Sequence, residues 1–299
     1  MTIFKKTNSV NSLEFLTKKW YTISIHHKKG SDNLKIFDAH CHIFPEKIAA
    51  KASLNIGKFY DLHMDFDGSV KTLMELYSRV GVDKCLVQSV ATTPAQVQSI
   101  NNFIAESVKA HPDMLVGFCA LHPLMEKKEI GTEIDRAISL GLKGIKLHPD
   151  FQQFKINERK AYDIYEAAEG RLPILFHTGD FRYDYSSPKR LADTLKDFPK
   201  LTAIAAHFGG WSEWDDGKRY LADNPNVYVD TSSSLYTLSP EKALEYIRAF
   251  TPDRVMFGTD YPMWNIEDEL RYMDKLELTD GEREKVMYRT ACKLLKAPE

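Results

Sequence analysis

The sequence predicts a (β/α)8 TIM barrel, built as a single domain with an N-terminal extension. Three observations carry that expectation. Eight short apolar runs alternate with eight segments of helical period along the chain. Several of the runs, such as LKIFDA, KCLVQSV, LTAIAA and RVMF, are almost unbroken stretches of apolar residues, the pattern of parallel strands covered on both faces. Chemically active side chains follow the C-terminal ends of these runs, and in a barrel those ends meet at one mouth. An open doubly wound sheet also fits the alternation, but the placing of the polar residues favours the barrel.

The elements follow in order. Residues 1–33 form the extension, which carries Lys5, Lys6, Lys18, Lys19, Lys28 and Lys29. Leu13, Leu16 and Trp20 have the spacing of one face of a short helix, although a loosely attached segment is the simpler reading. Strands are expected at 34–39, 84–90, 115–120, 144–147, 173–176, 201–206, 227–229 and 254–257. Helical period runs through 70–80, 95–110, 127–140, 158–169, 188–196, 213–222, 240–250 and 267–276. Ser239 ahead of Pro240 and Glu241 is a strong helix start. Thr279 with Glu282 reads as a capping box that opens a last helix at 283–295. The stretch 43–67 is longer than a plain strand-to-helix loop and is expected to form part of a lid, with His63, Asp65 and Asp67 in it. The barrel domain spans 34–299.

Composition narrows the classes of function. Of the 299 residues, 43% are apolar and 27% charged, and the net charge is −2. Neither nucleic acid nor an anionic membrane is expected as a partner; a small-molecule substrate is, with a homodimer left open. No apolar run approaches a membrane span, and the residues after Lys5 and Lys6 lack a signal-peptide core. The cysteines Cys41, Cys85, Cys119 and Cys292 form no close pair and read as buried free thiols. A cytoplasmic protein fits these features.

The histidines point to a metal. His40 and His42 follow the first run, in FDAHCH; His148 the fourth; His177 the fifth; His207 the sixth; and Asp260 the eighth, in MFGTD. Residues i and i+2 of a strand share a face, so His40 and His42 can bind one ion together. Imidazole nitrogens suit zinc and other borderline divalent metals. His26 and His27 are adjacent and would face opposite ways on a strand, a poor arrangement for one ion.

With HCH, FHTG, AHFGG and FGTDYP in that order, the chain resembles the amidohydrolase superfamily, in its amidohydrolase-2 branch of aminocarboxymuconate-semialdehyde decarboxylase-like proteins. The likeness runs from about Ile36 to Pro262. It implies a (β/α)8 barrel and a metal set of His40, His42, His177 and Asp260, with His207 as the sixth-strand histidine. One divalent ion per chain, a Zn2+, is the expected cofactor. Such an ion leaves room for a water, whose pKa it lowers towards about 7. Asp260 is then expected to move the proton, and His207 to steady charge on a polarised carbonyl.

Lys146 and His148 share a strand face and could serve a second metal or the substrate. Arg182, beside Tyr183 and Tyr185, could clamp a carboxylate, and Trp211 could wall a pocket. Trp214, Trp264 and His122 read as packing or loop residues, and His63 and His111 have no assigned role. Two activities fit. The first is hydrolysis of a C–N or C–O bond in a small amide, lactone or ester. The alternative is non-oxidative decarboxylation by a carboxy-lyase. Some decarboxylases of this branch have glutamate in place of the first histidine, and this chain does not, which leans towards hydrolysis. A non-catalytic metal-binding barrel is a third class.

Overall fold

The computed structural model describes residues 34–298, so the expected helix around Leu13, Leu16 and Trp20 lies outside the described residues. The strands are β1 Phe37–His42, β2 Lys84–Gln88, β3 Leu115–Ala120, β4 Gly144–Leu147, β5 Ile174–Phe176, β6 Ala203–Ala205, β7 Val227–Asp230 and β8 Val255–Met256. They stand in sequence order in one sheet, and each neighbouring pair is parallel. The sheet closes on itself: Ala39 N–H donates to Phe257 O at 2.8 Å and His42 N–H to Tyr261 O at 2.6 Å. This is the expected (β/α)8 barrel.

Helices cover the outside: α1 Ala49–Tyr60, α2 Val70–Val80, α3 Val97–Ala110, α4 Lys127–Ser139, α5 Pro149–Gln152, α6 Arg159–Ala168, α7 Pro188–Asp197, α8 Trp214–Leu221, α9 Pro240–Phe250, α10 Ile266–Asp274, α11 Asp280–Glu284 and α12 Thr290–Leu295. Ser239 caps α9 through its hydroxyl, and Thr279 with Glu282 closes a capping box on α11. The last helix expected at 283–295 is a continuous helical run in which Lys285–Arg289 takes π geometry between α11 and α12. Its Tyr288, Ala291, Cys292 and Leu295 pack with Phe37, at the end of the strands away from the mouth.

Two features differ from the sequence expectation. The first strand is shifted, running through His40 and His42, because backbone pairing with β2 and β8 overrides the polar side chains. The second is α1, which lies inside the long loop. Its buried stripe is Ala49, Ser53 and Gly57, while Leu54 faces solvent. Small residues inside and a large apolar one outside erase the hydrophobic period by which a helix is read. Gly57 is required there, since a Cβ would stand 2.7 Å from Leu62 O.

Phe37, Ala39, Leu86, Phe118, Leu175, Ile204 and Met256 fill the barrel interior. Phe118 is accommodated because Gly144 faces it from β4. A Cβ on Gly144 would lie 2.3–2.6 Å from the Phe118 ring. Gly144→Ala should therefore destabilise the protein by about 1–3 kcal/mol, the usual cost of overpacking a filled core. Urea unfolding would measure this, and adding Phe118→Leu should recover part of it. An unchanged midpoint would mean that the ring has another place to go.

Candidate metal centre and active site

A bulge in β1 sets up the site. β1 advances from Asp38 to Cys41 while β2 advances only from Cys85 to Val87, so β1 carries one extra residue. Phe37 and Ala39 face the interior before the bulge. After it, Cys41 turns outward to Tyr77, with Sγ 3.3 Å from the phenol oxygen, and His40 and His42 both line the mouth. Lys146 arrives from β4, and His148, His177, His207 and Asp260 follow β4, β5, β6 and β8. His207 and Asp260 have φ of 61° and 68°, the left-handed region that is uncommon outside glycine, though His and Asp enter it more readily than most residues. Each is pinned: His207 N–H donates to the Asp230 carboxylate at 3.0 Å, and Asp260 N–H to His40 O at 2.9 Å.

Three donor atoms converge. His40 Nε2 lies 3.2 Å from His42 Nε2, and Asp260 Oδ1 lies 3.5 and 3.4 Å from these two nitrogens. Four ligands around an ion with bonds of ~2.0–2.1 Å stand about 3.3–3.4 Å apart, so the spacing suits one divalent cation. Protonation supports this. Asp230 Oδ2 sits 2.9 Å from His40 Nδ1 and accepts from the proton held there, which leaves Nε2 with its lone pair. A lone pair facing another imidazole nitrogen and a carboxylate calls for a cation among them. Lys146 Nζ, 3.3 Å from His40 Nε2, approaches the same spot.

His177 stands outside this close cluster of three. Its Nδ1 faces His207 Nε2 at 3.1 Å, and its Nε2 has no hydrogen-bond partner among the described residues. That nitrogen looks towards Asp150, whose Oδ2 is 3.8 Å away and whose two oxygens are buried and equally unpartnered. His207 Nδ1 is held by Ser232, at 2.9 Å from the hydroxyl and 3.0 Å from the carbonyl. His148 stacks on the His177 ring at 4.1 Å between centroids and is bonded by Tyr60 Oη at 2.9 Å.

Burial governs the titration of these groups. It lowers His42 and His207 to about 4 and His148 and His177 well below the usual range, so the imidazoles are neutral near pH 7. Burial also brings Lys146 down to about 8 and pushes Asp150 up to about 7. For Asp230 and Asp260 burial acts upward, but the surrounding histidines outweigh it. They hold Asp230 at about 2 and Asp260 well below ordinary carboxylates.

A cleft opens over the histidines and Asp260. Its other walls are Ile56, Tyr60, Met64, Phe151, Pro262 and Met263. Five of these come from α1 and the loops beside it and β8, so the 43–67 stretch does cover the mouth, through Ile56, Tyr60 and Met64. Arg182 and Trp211 sit behind Tyr60, outside the lining. Trp264 donates to the Ser233 hydroxyl, which donates in turn to Asp260 Oδ2 at 2.6 Å.

Several residues of the site went unremarked in the sequence. Asp230 ends β7 in VYVD, and the rule that singled out the other strand ends applies to it equally. Asp150 lies two residues beyond His148. Nothing local marks Tyr60, which reaches the site only because α1 folds over the mouth.

Asp230 joins His40, the His207 amide and both the amide and hydroxyl of Ser232 in one buried network. Asp230→Ala should cost about 3–5 kcal/mol, since it leaves four buried donors without their acceptor, at roughly 1–3 kcal/mol each before relaxation. The measurement is denaturant unfolding in the presence of a chelator, which keeps metal loss out of the comparison. A loss under about 1 kcal/mol, the value of a single ordinary hydrogen bond, would show that the network is not what holds β7 to β1.

A family model described as Amidohydrolase matches residues 37–297. Decarboxylase orsB from Emericella nidulans is 26% identical over 242 residues, which cover 62% of this chain and 71% of that protein. Gamma-resorcylate decarboxylase from a Polaromonas species is 22% identical over 250 residues, covering 66% and 74%. Among solved structures, a dihydroxybenzoic acid decarboxylase from Polaromonas, bound to manganese and the inhibitor 2-nitroresorcinol, superposes with a TM-score of 0.69 at 15% identity, over 88% of this chain and 97% of the other. The match spans the whole barrel, from Phe37 at the start of β1 to beyond α12, and on it this chain belongs to the amidohydrolase family.

Proposed function

We propose that the protein is a metal-dependent non-oxidative decarboxylase, a carboxy-lyase acting on a small carboxylated phenol. The observation that carries this reading is the likeness to two decarboxylases along more than two thirds of their length. The site agrees with it, since the flat walls supplied by Tyr60, Phe151, His148 and His177 suit the face of an aromatic ring. Hydrolysis, the activity placed first on the sequence, has less behind it. Its argument was the first histidine of the His-x-His pair, and that pair serves either chemistry.

His40, His42, His177 and Asp260 are the residues proposed to hold one divalent ion; manganese accompanies the related decarboxylase, and zinc suits the imidazoles. When bound, such an ion acts as a Lewis acid that steadies negative charge on a substrate oxygen. Asp260 is ionised and acts first as a base. It takes the proton of a substrate hydroxyl and passes it to the ring carbon that bears the carboxylate. A C–H bond forms there, the C–C bond to the carboxylate breaks, and carbon dioxide leaves. The electron pair returns to the ring, and a solvent proton restores the hydroxyl. His207, neutral and held by Ser232, is placed to hydrogen-bond the substrate, and Lys146 to pair with its negative charge.

Carbon dioxide release from 2,6-dihydroxybenzoate and related hydroxybenzoates, supplied to protein loaded with Mn2+ or Zn2+, tests the activity. Asp260→Asn should slow turnover by a factor on the order of 10² to 10⁴ in fully loaded protein. Turnover of lactones or amides with no carbon dioxide from any aromatic or muconic acid would return the protein to the hydrolases.

A second measurement concerns the metal. His40→Ala and His177→Ala should lose the ion, while Lys146→Ala should keep about one per chain. Asp150→Asn should weaken binding by about 10–100-fold, because the Asp150 carboxylate is proposed to hold the proton of His177 on Nε2 and turn Nδ1 to the ion. Titration with a competing chelator reads the affinity. Unchanged affinity in Asp150→Asn would remove it from this role.

A further inference from the structure

Arg182 stands in the loop after β5, where a guanidinium could have gripped a substrate carboxylate. Its fork is engaged elsewhere. Nε donates to Asp180 Oδ1 at 2.8 Å and Nη2 to Asp180 Oδ2 at 2.7 Å, a bidentate pair. Nη1 donates to Phe59 O at 2.8 Å. Phe59 belongs to the last turn of α1, where carbonyls lack helical partners and a positive charge is favoured. The guanidinium carbon also lies 5.0–5.5 Å from the ring centres of Phe59, Tyr60, Tyr183 and Trp211. Asp180 is fully buried and tied down in turn, its N–H donating to Glu213 at 3.3 Å.

Besides Arg182, the helix is held by Ser53, whose hydroxyl donates to Phe66 O at 2.7 Å, and by the edge contact of Phe59 with Phe151. Its buried stripe of Ala49, Ser53 and Gly57 offers little apolar area to the barrel. Yet its last residue, Tyr60, walls the cleft and bonds His148 at 2.9 Å, and His148 stacks on His177.

We propose that Arg182 is a positioning residue: locked to Asp180, it fastens the C-terminal end of α1 and thereby sets Tyr60 as a specificity-determining wall of the pocket. A substrate carboxylate could take the Nε–Nη2 edge only by displacing Asp180 and leaving that buried charge unpaired, which is costly. Lysine cannot substitute, for it lacks the planar fork. The inference concerns the shape of the pocket and holds whichever reaction the site performs.

Amide hydrogen exchange on the full chain loaded with Mn2+ tests it without a substrate. Arg182→Ala and Asp180→Asn should speed exchange about tenfold or more in residues 53–62, with the barrel strands and bound metal unchanged. Arg182→Lys should recover less than half of the protection. Calorimetry with 2,6-dihydroxybenzoate supplies the second arm. Arg182→Ala and Tyr60→Ala should each weaken binding by about tenfold, and the double variant by no more than either, since both remove one wall. Unchanged exchange in α1 would overturn the proposal, as would additive losses of affinity. Were wild type not to bind 2,6-dihydroxybenzoate, the decarboxylase reading would lose its lead ligand and the exchange result would decide the role of Arg182. Should Asp180→Asn fail to fold, the partly exposed Arg182 variants decide it.

Discussion

Asp38 ties the seam on which the site depends. It is fully buried, one turn of pleat ahead of the bulge in β1. One oxygen accepts from the His40 and Thr259 amides, both at 3.0 Å; the other accepts from Tyr77 at 2.5 Å and the Thr259 hydroxyl at 2.6 Å. A single carboxylate thus joins β1, α2 and the segment after β8. His40 and His42 lie on one side of that seam and Asp260 on the other. Their donor atoms come within 3.5 Å of one another only because the barrel closes there. Burial penalises the charged form of Asp38, and its four hydrogen bonds offset that penalty in part.

The mouth collects buried polar groups that cannot all satisfy one another. Imidazoles face each other in two pairs, His40 with His42 and His177 with His207. Two outer nitrogens are held by an acceptor behind them, Asp230 behind His40 and Ser232 behind His207, while Asp150 faces His177 at 3.8 Å. The inner lone pairs are thereby turned towards one space. Such an arrangement is unfavourable in an empty core and sensible around a cation. The positive φ angles of His207 and Asp260 belong to the same economy of placement, for local strain persists where many contacts fix a residue at a functional site.

Above this cluster the walls come from loops and from α1, so the chemistry is held by strands and the selectivity by a covering layer. The division is common to barrels, whose rigid strand ends carry reacting groups while loop residues vary the pocket. It also separates two histidines with similar sequence settings. Both line the cleft, but His177 faces His207, whereas His148 caps α5, accepting from Phe151 N–H, and bonds Tyr60.

The barrel itself was legible in the sequence. Continuous apolar runs at strand spacing dictate buried parallel strands, and the clustering of His40, His42, His177, His207 and Asp260 behind those runs places them at one end whatever the details of packing. The tertiary structure decided what depends on contacts between distant segments. Asp230 and Asp150 act by facing histidines from other strands, and no local pattern states which carboxylate will meet which ring. The small inner stripe of α1 hides a helix whose place is set at its end by Arg182. That arginine, a plausible substrate clamp by its residue type alone, is engaged because Asp180 and Phe59 O reach its fork first. Periodicity fixes which face of an element is buried; only the closed fold determines what each polar side chain finds there.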